Sequence, residues 1–146
     1  MKEVIKSNIL ILLFVSATII SACKDSITEP ETTTPGNTDN NLANFSKIQQ
    51  QVFTPVCAVS GCHSGSAPRA NMDLSEGKAY ANLVNITSAR NSNFKRVEPG
   101  NSGNSFIIKM LKNTGENTVQ MPPTGPLASR IIDSIAVWID NGALNN

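Results

Sequence analysis

Apolar positions along the chain fall into two kinds of pattern. Near the start they form one unbroken run, ILILLFVSATII, over residues 9–20. After residue 43 they recur at intervals. Phe45, Ile48, Val52 and Phe53 follow helical spacing, and Asn44 is placed to cap the first turn. The pattern predicts a first helix that Thr54-Pro55 stops, because the residue before a proline is pushed out of the helical region. A second helix is predicted over residues 75–84 (SEGKAYANLV), with Ser75 as its cap and Tyr80, Leu83 and Val84 facing inward. Residues 85–98 read as loop, and Pro99-Gly100-Asn101 as a turn. Asn101 or Ser102 then opens a third helix through Leu111, with Phe106, Ile107, Met110 and Leu111 as its apolar stripe. Residues 112–126 (KNTGENTVQMPPTGP) hold three prolines and two glycines and read as an extended loop. The last helix runs from about Ser129 to Asn141, with Leu127, Ile131, Ile135 and Trp138 along one face and Ile132 and Ile139 beside it. Gly142 suits the left-handed position past its end. The class is small and all-α, with long loops.

The opening run is too short to cross a bilayer as a helix, which takes about 20 apolar residues. It follows Lys2 and Lys6 and has the length of a signal-peptide core. It ends in IISAC, which resembles the lipobox of bacterial lipoproteins, where the cysteine is lipidated and becomes the new N-terminus. An ordinary secretory signal, with Cys23 a spare thiol, is the alternative. Residues 24–43 (KDSITEPETTTPGNTDNNLA) are too polar to offset the entropy of ordering them and read as a tether. The chain thus divides into a signal peptide (1–22), a lipidated Cys23 with its tether (23–43) and a domain (44–146). The expected location is the bacterial cell envelope, anchored by lipid, in the periplasm or on the outer-membrane surface.

Charge narrows the partners. Removing Lys2, Lys6 and Glu3 from the 12 basic and 11 acidic side chains leaves 10 of each. There is no basic run and aromatics are few, so no nucleic-acid partner is expected. Phosphate-loop and dinucleotide motifs are absent as well.

The chemistry concentrates in CAVSGCHSG, residues 57–65. Cys57 and Cys62 are four residues apart in the gap between them, and His63, the only histidine, follows at once. With Cys23 carrying lipid, these two form an even pair in an oxidising compartment, where free thiols do not persist. Three readings are open. The pair can close a disulfide, which gives His63 no task. It can join a zinc site, which needs a fourth ligand that no carboxylate pattern offers. It can anchor a haem through two thioethers, with His63 as an iron ligand; the four-residue spacer must then loop outward, which Gly61 makes easier. Four short helices make a thin core for a domain of this size, and small domains often compensate with a cofactor. With no other histidine, a sixth ligand for iron would come from a methionine or a lysine. Met110 lies on a helix stripe and reads as core, and Met72 is so close to His63 in sequence that it would have difficulty reaching the opposite haem face. Met121 sits on a proline-stiffened loop just before the last helix.

FTPVCAVSGCH, MDLSEGKAYANLVN, RVEPGNSGNSFIIKML, QMPPTGPL and IAVWIDNGA resemble, in that order, bacterial cytochrome c domains of the planctomycete type, and more broadly class I c-type cytochromes. The likeness covers about residues 45–143. It implies a cytochrome c-like helical domain around one covalent haem c. Cys57 and Cys62 would form the thioethers, His63 the proximal ligand and Met121 the distal one. It implies crossed first and last helices, with Phe45, Ile48 and Val52 near Ile135, Trp138 and Ile139. Two positions depart from the family: the spacer is four residues long, and Ala128 stands where many relatives have Ser or Thr.

With both axial positions filled, such a haem carries electrons and takes no substrate, and the thioether favours Fe(II). The expected function is therefore a membrane-anchored one-electron carrier rather than an enzyme, with redox proteins at the membrane as partners. The carbonyl that orients the His63 ring is expected near Pro68. Arg69 and Arg96 are candidates to face haem propionates, or else are solvated surface charges. A haem-free exported binding or scaffold module with a Cys57–Cys62 disulfide is the alternative. A haem enzyme or gas sensor in which Met121 lets go ranks below it.

Overall fold

A computed structural model describes residues 43–115 and 118–146. The signal peptide, Cys23 and all of the expected tether except Ala43 lie outside the described residues. The first helix, α1 (Phe45–Ile48), starts where expected. Asn44 is extended at the cap position and its side chain accepts a hydrogen bond from the Lys47 N–H at 2.9 Å. The other end of the chain caps the rest of that turn. Phe45 N–H donates to Asn146 Oδ1 at 3.0 Å and Ser46 N–H to the Asn146 carbonyl at 2.8 Å. Donors that a helix start leaves unpaired are thereby satisfied.

The helix does not stop at Thr54-Pro55. It continues as a π-helix over Gln49–Cys57, with Pro55 inside it. In an α-helix the proline ring would collide with the carbonyl four residues back and delete a bond. A wider π turn accommodates it, and the segment closes with Ala58 N–H donating to the Phe53 carbonyl at 2.7 Å. The helix therefore carries the chain as far as Cys57.

The second helix is shorter than its pattern. Only Ala79–Leu83, α2, is helical. Gly77 adopts a left-handed φ of +76°, which breaks the first predicted turn. No side chain caps α2; Ser75 instead donates its N–H to Asp73 at 3.0 Å, and the Lys78 ammonium donates to the same carboxylate at 2.9 Å. The third helix is also divided. Asn101 caps a short 3₁₀ turn, Ser102–Asn104, and α3 (Phe106–Lys112) follows after an extended Ser105. Phe106, Ile108 and Leu111 are its buried residues, so Ile108 takes the place that the pattern gave to Ile107. The last helix, α4 (Ser129–Asp140), matches its expected span, with Ala128 at the cap position and no side chain capping it. Gly142 has the expected left-handed φ, +95°. Among the described residues there is no strand, only two isolated bridges, Val84 to Val97 and Thr87 to Lys95. The domain is all-α.

One buried cluster holds the helices together. Ile48, Val52, Phe53, Leu83, Ile135, Trp138 and Ile139 are its most enclosed side chains. Its aromatic end is tightly specified. The Phe45 ring lies 5.5 Å from Trp138, 5.2 Å edge-on from Tyr80 and 6.2 Å from Phe53, centroid to centroid. Trp138 Nε1 donates to the Leu144 carbonyl at 2.8 Å and the Tyr80 hydroxyl to the Ala143 carbonyl at 3.0 Å, so neither polar tip is stranded.

Candidate cofactor-binding site

Cys57 closes the π-helix, and the chain then turns back on itself. Cys62 N–H donates to the Val59 carbonyl at 3.0 Å, and His63 N–H to the Cys57 carbonyl at 3.1 Å. These two bonds fold the spacer into a turn, with Val59, Ser60 and Gly61 exposed and both cysteines half-buried. Gly61 adopts φ +78°, a conformation that side-chain-bearing residues rarely take. The four-residue spacer is therefore looped outward, as haem attachment would require of it.

Both thiols are unbonded. Burial first, and the neighbouring Cys62 second, push the Cys57 thiol up to about 11. It is a neutral thiol at physiological pH. Cys57 and Ala58 pack against the core cluster from its edge.

His63 is half-buried, and its Nδ1 lies 3.2 Å from the Arg69 carbonyl. In the tautomer that makes this a donated hydrogen bond, Nε2 keeps its lone pair. Burial pulls the imidazole pKa down, opposed by the backbone carbonyls of Met72 and Arg69, while the charges of Arg96 and Arg69 add to the lowering. The orienting carbonyl is one residue beyond the expected Pro68. The Arg69 N–H donates to the Cys62 carbonyl at 2.9 Å and the Arg69 Nε to the Gly61 carbonyl at 2.8 Å. Leu74 N–H donates to the His63 carbonyl at 2.8 Å. The cysteine loop is thus laced to residues 69–74 by backbone bonds.

Met121 reaches the same cluster from the loop between α3 and α4. Its thioether is half-buried and packs against the core, as does Met72. The backbone on either side is held: Met121 N–H donates to the Met110 carbonyl at 3.1 Å, and the Gln120 amide to the carbonyls of Leu111 and Met121, each at 2.9 Å. Met110 itself is half-buried rather than core.

The two candidate arginines differ from each other. Arg69 is exposed, but its side chain is committed to the cysteine loop. Arg96 is no surface charge: it is 8% exposed, and its guanidinium donates to the carbonyls of Ala70 at 2.8 Å, Asn82 at 2.7 Å and Asn71 at 3.3 and 3.4 Å. No local sequence signal marks it, because all of its partners are main-chain carbonyls distant in sequence. Gln49 was missed as well; it is buried inside the π-helix and donates to Thr54 Oγ1 and the Leu74 carbonyl.

Among the described residues no three or more His, Cys, Asp or Glu side chains come together to hold a metal ion. Two surface cavities, of about 470 and 310 Å³, are lined by none of Cys57, Cys62, His63 and Met121. The donor set nonetheless fits a covalent haem. It offers two unpaired thiols flanking one turn, an adjacent imidazole with an oriented ring, and a thioether at the edge of the same apolar cluster. Comparisons with protein-family models, curated proteins and solved structures found no match.

Proposed function

We propose that this chain is a mono-haem c-type cytochrome that carries one electron at a time, held at a bacterial envelope membrane by lipid on Cys23. One observation carries the reading. The Cys57–His63 loop folds with both thiols free and with the His63 ring already oriented by a backbone carbonyl. A disulfide module would have no use for that oriented imidazole.

In this reading Cys57 and Cys62 would hold the porphyrin through thioethers, and His63 Nε2 and the Met121 sulfur would ligate its iron. The haem would supply the Fe(III)/Fe(II) couple. The chain's own residues do the rest. The Arg69 carbonyl accepts from His63 Nδ1, which fixes the ring plane and makes the imidazole a better donor. The bonds from Met121 N–H to Met110 and from the Gln120 amide hold the thioether loop in place. Core packing beneath Cys57 and Met121 supplies an apolar wall, which disfavours extra charge on the iron and so favours Fe(II). Partners are redox proteins at the membrane, and a tether would raise their local concentration.

The test is optical. Protein from cells that make cytochromes c should show a Soret band and sharp reduced α and β bands. Its haem should stay with the chain on a denaturing gel. Met121→Ala should keep the covalent haem, lose the spectral signature of thioether-bound ferric iron and bind carbon monoxide quickly. If the wild type already binds carbon monoxide at that rate, the iron has an open site and the electron-carrier reading fails.

A further inference from the structure

We infer that Arg96 is a positioning residue for His63, acting through the strained turn that carries the orienting carbonyl. The inference rests on the haem reading for its purpose, but its geometry is independent of it.

The turn Arg69–Asn71 is an unusual piece of backbone. Ala70 and Asn71 have φ values of +56° and +49°, consecutive left-handed residues with no glycine between them. Such residues persist only where surrounding structure over-determines them. The start of the turn is tied to the cysteine loop by Arg69 N–H on the Cys62 carbonyl. Its far end is held by Arg96, whose two terminal nitrogens take the carbonyls of Ala70 and Asn71. Between these two ties sits the Arg69 carbonyl that accepts from His63 Nδ1.

Arg96 is itself rigidly mounted. Its N–H donates to the Ile86 carbonyl at 2.7 Å, and its own carbonyl accepts from Ile107 N–H at 3.0 Å at the start of α3. A third guanidinium contact, to Asn82 at 2.7 Å, fixes it to the end of α2. Among the described residues no carboxylate pairs with it. A buried cation with only carbonyl partners is costly to keep, and a planar fork is the side chain that can hold several carbonyls at once. The arrangement makes Arg96 the clamp that aims the Arg69 carbonyl, so that the ring of His63 is presented in one orientation. Lysine would keep the charge but not the fork.

His63 is the only imidazole in the chain, so its ring N–H is assignable by NMR whether or not the protein carries haem. The measurement is solvent exchange of the His63 Nδ1 proton in the full chain as isolated from cytochrome-making cells. Arg96→Gln should speed exchange by about tenfold, the worth of roughly one hydrogen bond. Arg96→Lys should give an intermediate rate, and it also serves if the glutamine variant does not fold. Tyr80→Phe, which removes a bond at the aromatic end, should leave the rate unchanged. An exchange rate in either Arg96 variant equal to wild type overturns the inference. So does a Tyr80→Phe acceleration as large as that of Arg96→Gln, because Arg96 would then act only through general stability. A colourless wild-type protein would defeat the haem reading without touching this comparison.

Discussion

Two regions of this domain are held together in different ways. At the aromatic end Phe45, Tyr80 and Trp138 interlock, and their polar tips reach the carbonyls of Ala143 and Leu144. Side-chain packing closes that end. Cys57, Cys62, His63 and Met121, by contrast, are all half-buried; main-chain bonds, Arg69 and Arg96 tie down the cysteine loop and the turn beside it, and Met110 and Gln120 hold the Met121 segment. The Cys57 and Met121 sulfurs pack on the apolar cluster but are only half enclosed by it. The contrast teaches where the chain's own core is self-sufficient and where an added apolar group would complete it.

That contrast can be broken from either side. The largest effect expected is from Cys57→Ala with Cys62→Ala. All haem should be lost from the denaturing gel, and the melting temperature should fall relative to the loaded wild type. Trp138→Ala should next cost ~3–5 kcal/mol in denaturant unfolding, with or without haem, because a fully enclosed aromatic leaves a cavity that the surroundings do not fill. A Trp138 variant that lost haem while keeping its stability would invert the assignment of the two regions. Asn44→Ala should cost ~1 kcal/mol by the same measurement, since the cap bond to Lys47 is one of three that close the first turn of α1.

The smallest effect is on the acid limb. Hydrogen bonds from the Ser75 side chain and the Lys78 ammonium hold the Asp73 carboxyl down at about 2. A carboxyl whose folded pKa lies below its unfolded value, about 3.9, binds fewer protons when folded. Its contribution is therefore complete above about pH 4 and is lost as pH falls toward about 2. Asp73 adjoins Leu74, which bonds to His63, so acid should loosen the cysteine loop first. Asp73→Asn should flatten that part of the stability profile. An unchanged profile would remove Asp73 from the account.

How much of this was readable in the sequence follows the same division. The aromatic end was legible, because Phe45, Ile48, Val52, Ile135, Trp138 and Ile139 announce themselves by helical spacing and do share one cluster. The cysteine loop was legible as chemistry, since two thiols and one histidine in seven residues, 57–63, are a local signal. What failed was backbone detail. Pro55 was read as a stop because the rule assumes an α-helix, and the wider π turn escapes it. Ser75 was read as a cap because Gly77 was not weighed as a left-handed break. Arg96 was read as facing propionate or solvent, because long-range bonds to carbonyls leave no trace in composition or spacing.

The most direct test of the central claim is the intact mass, under denaturing conditions, of the chain purified from cells that make cytochromes c. The account predicts the polypeptide, with its processing at Cys23, plus the mass of one haem, and the added mass mapping to the peptide that holds Cys57 and Cys62. A polypeptide without haem whose Cys57–Cys62 peptide is lighter by one pair of hydrogens would mean a disulfide, and would contradict it.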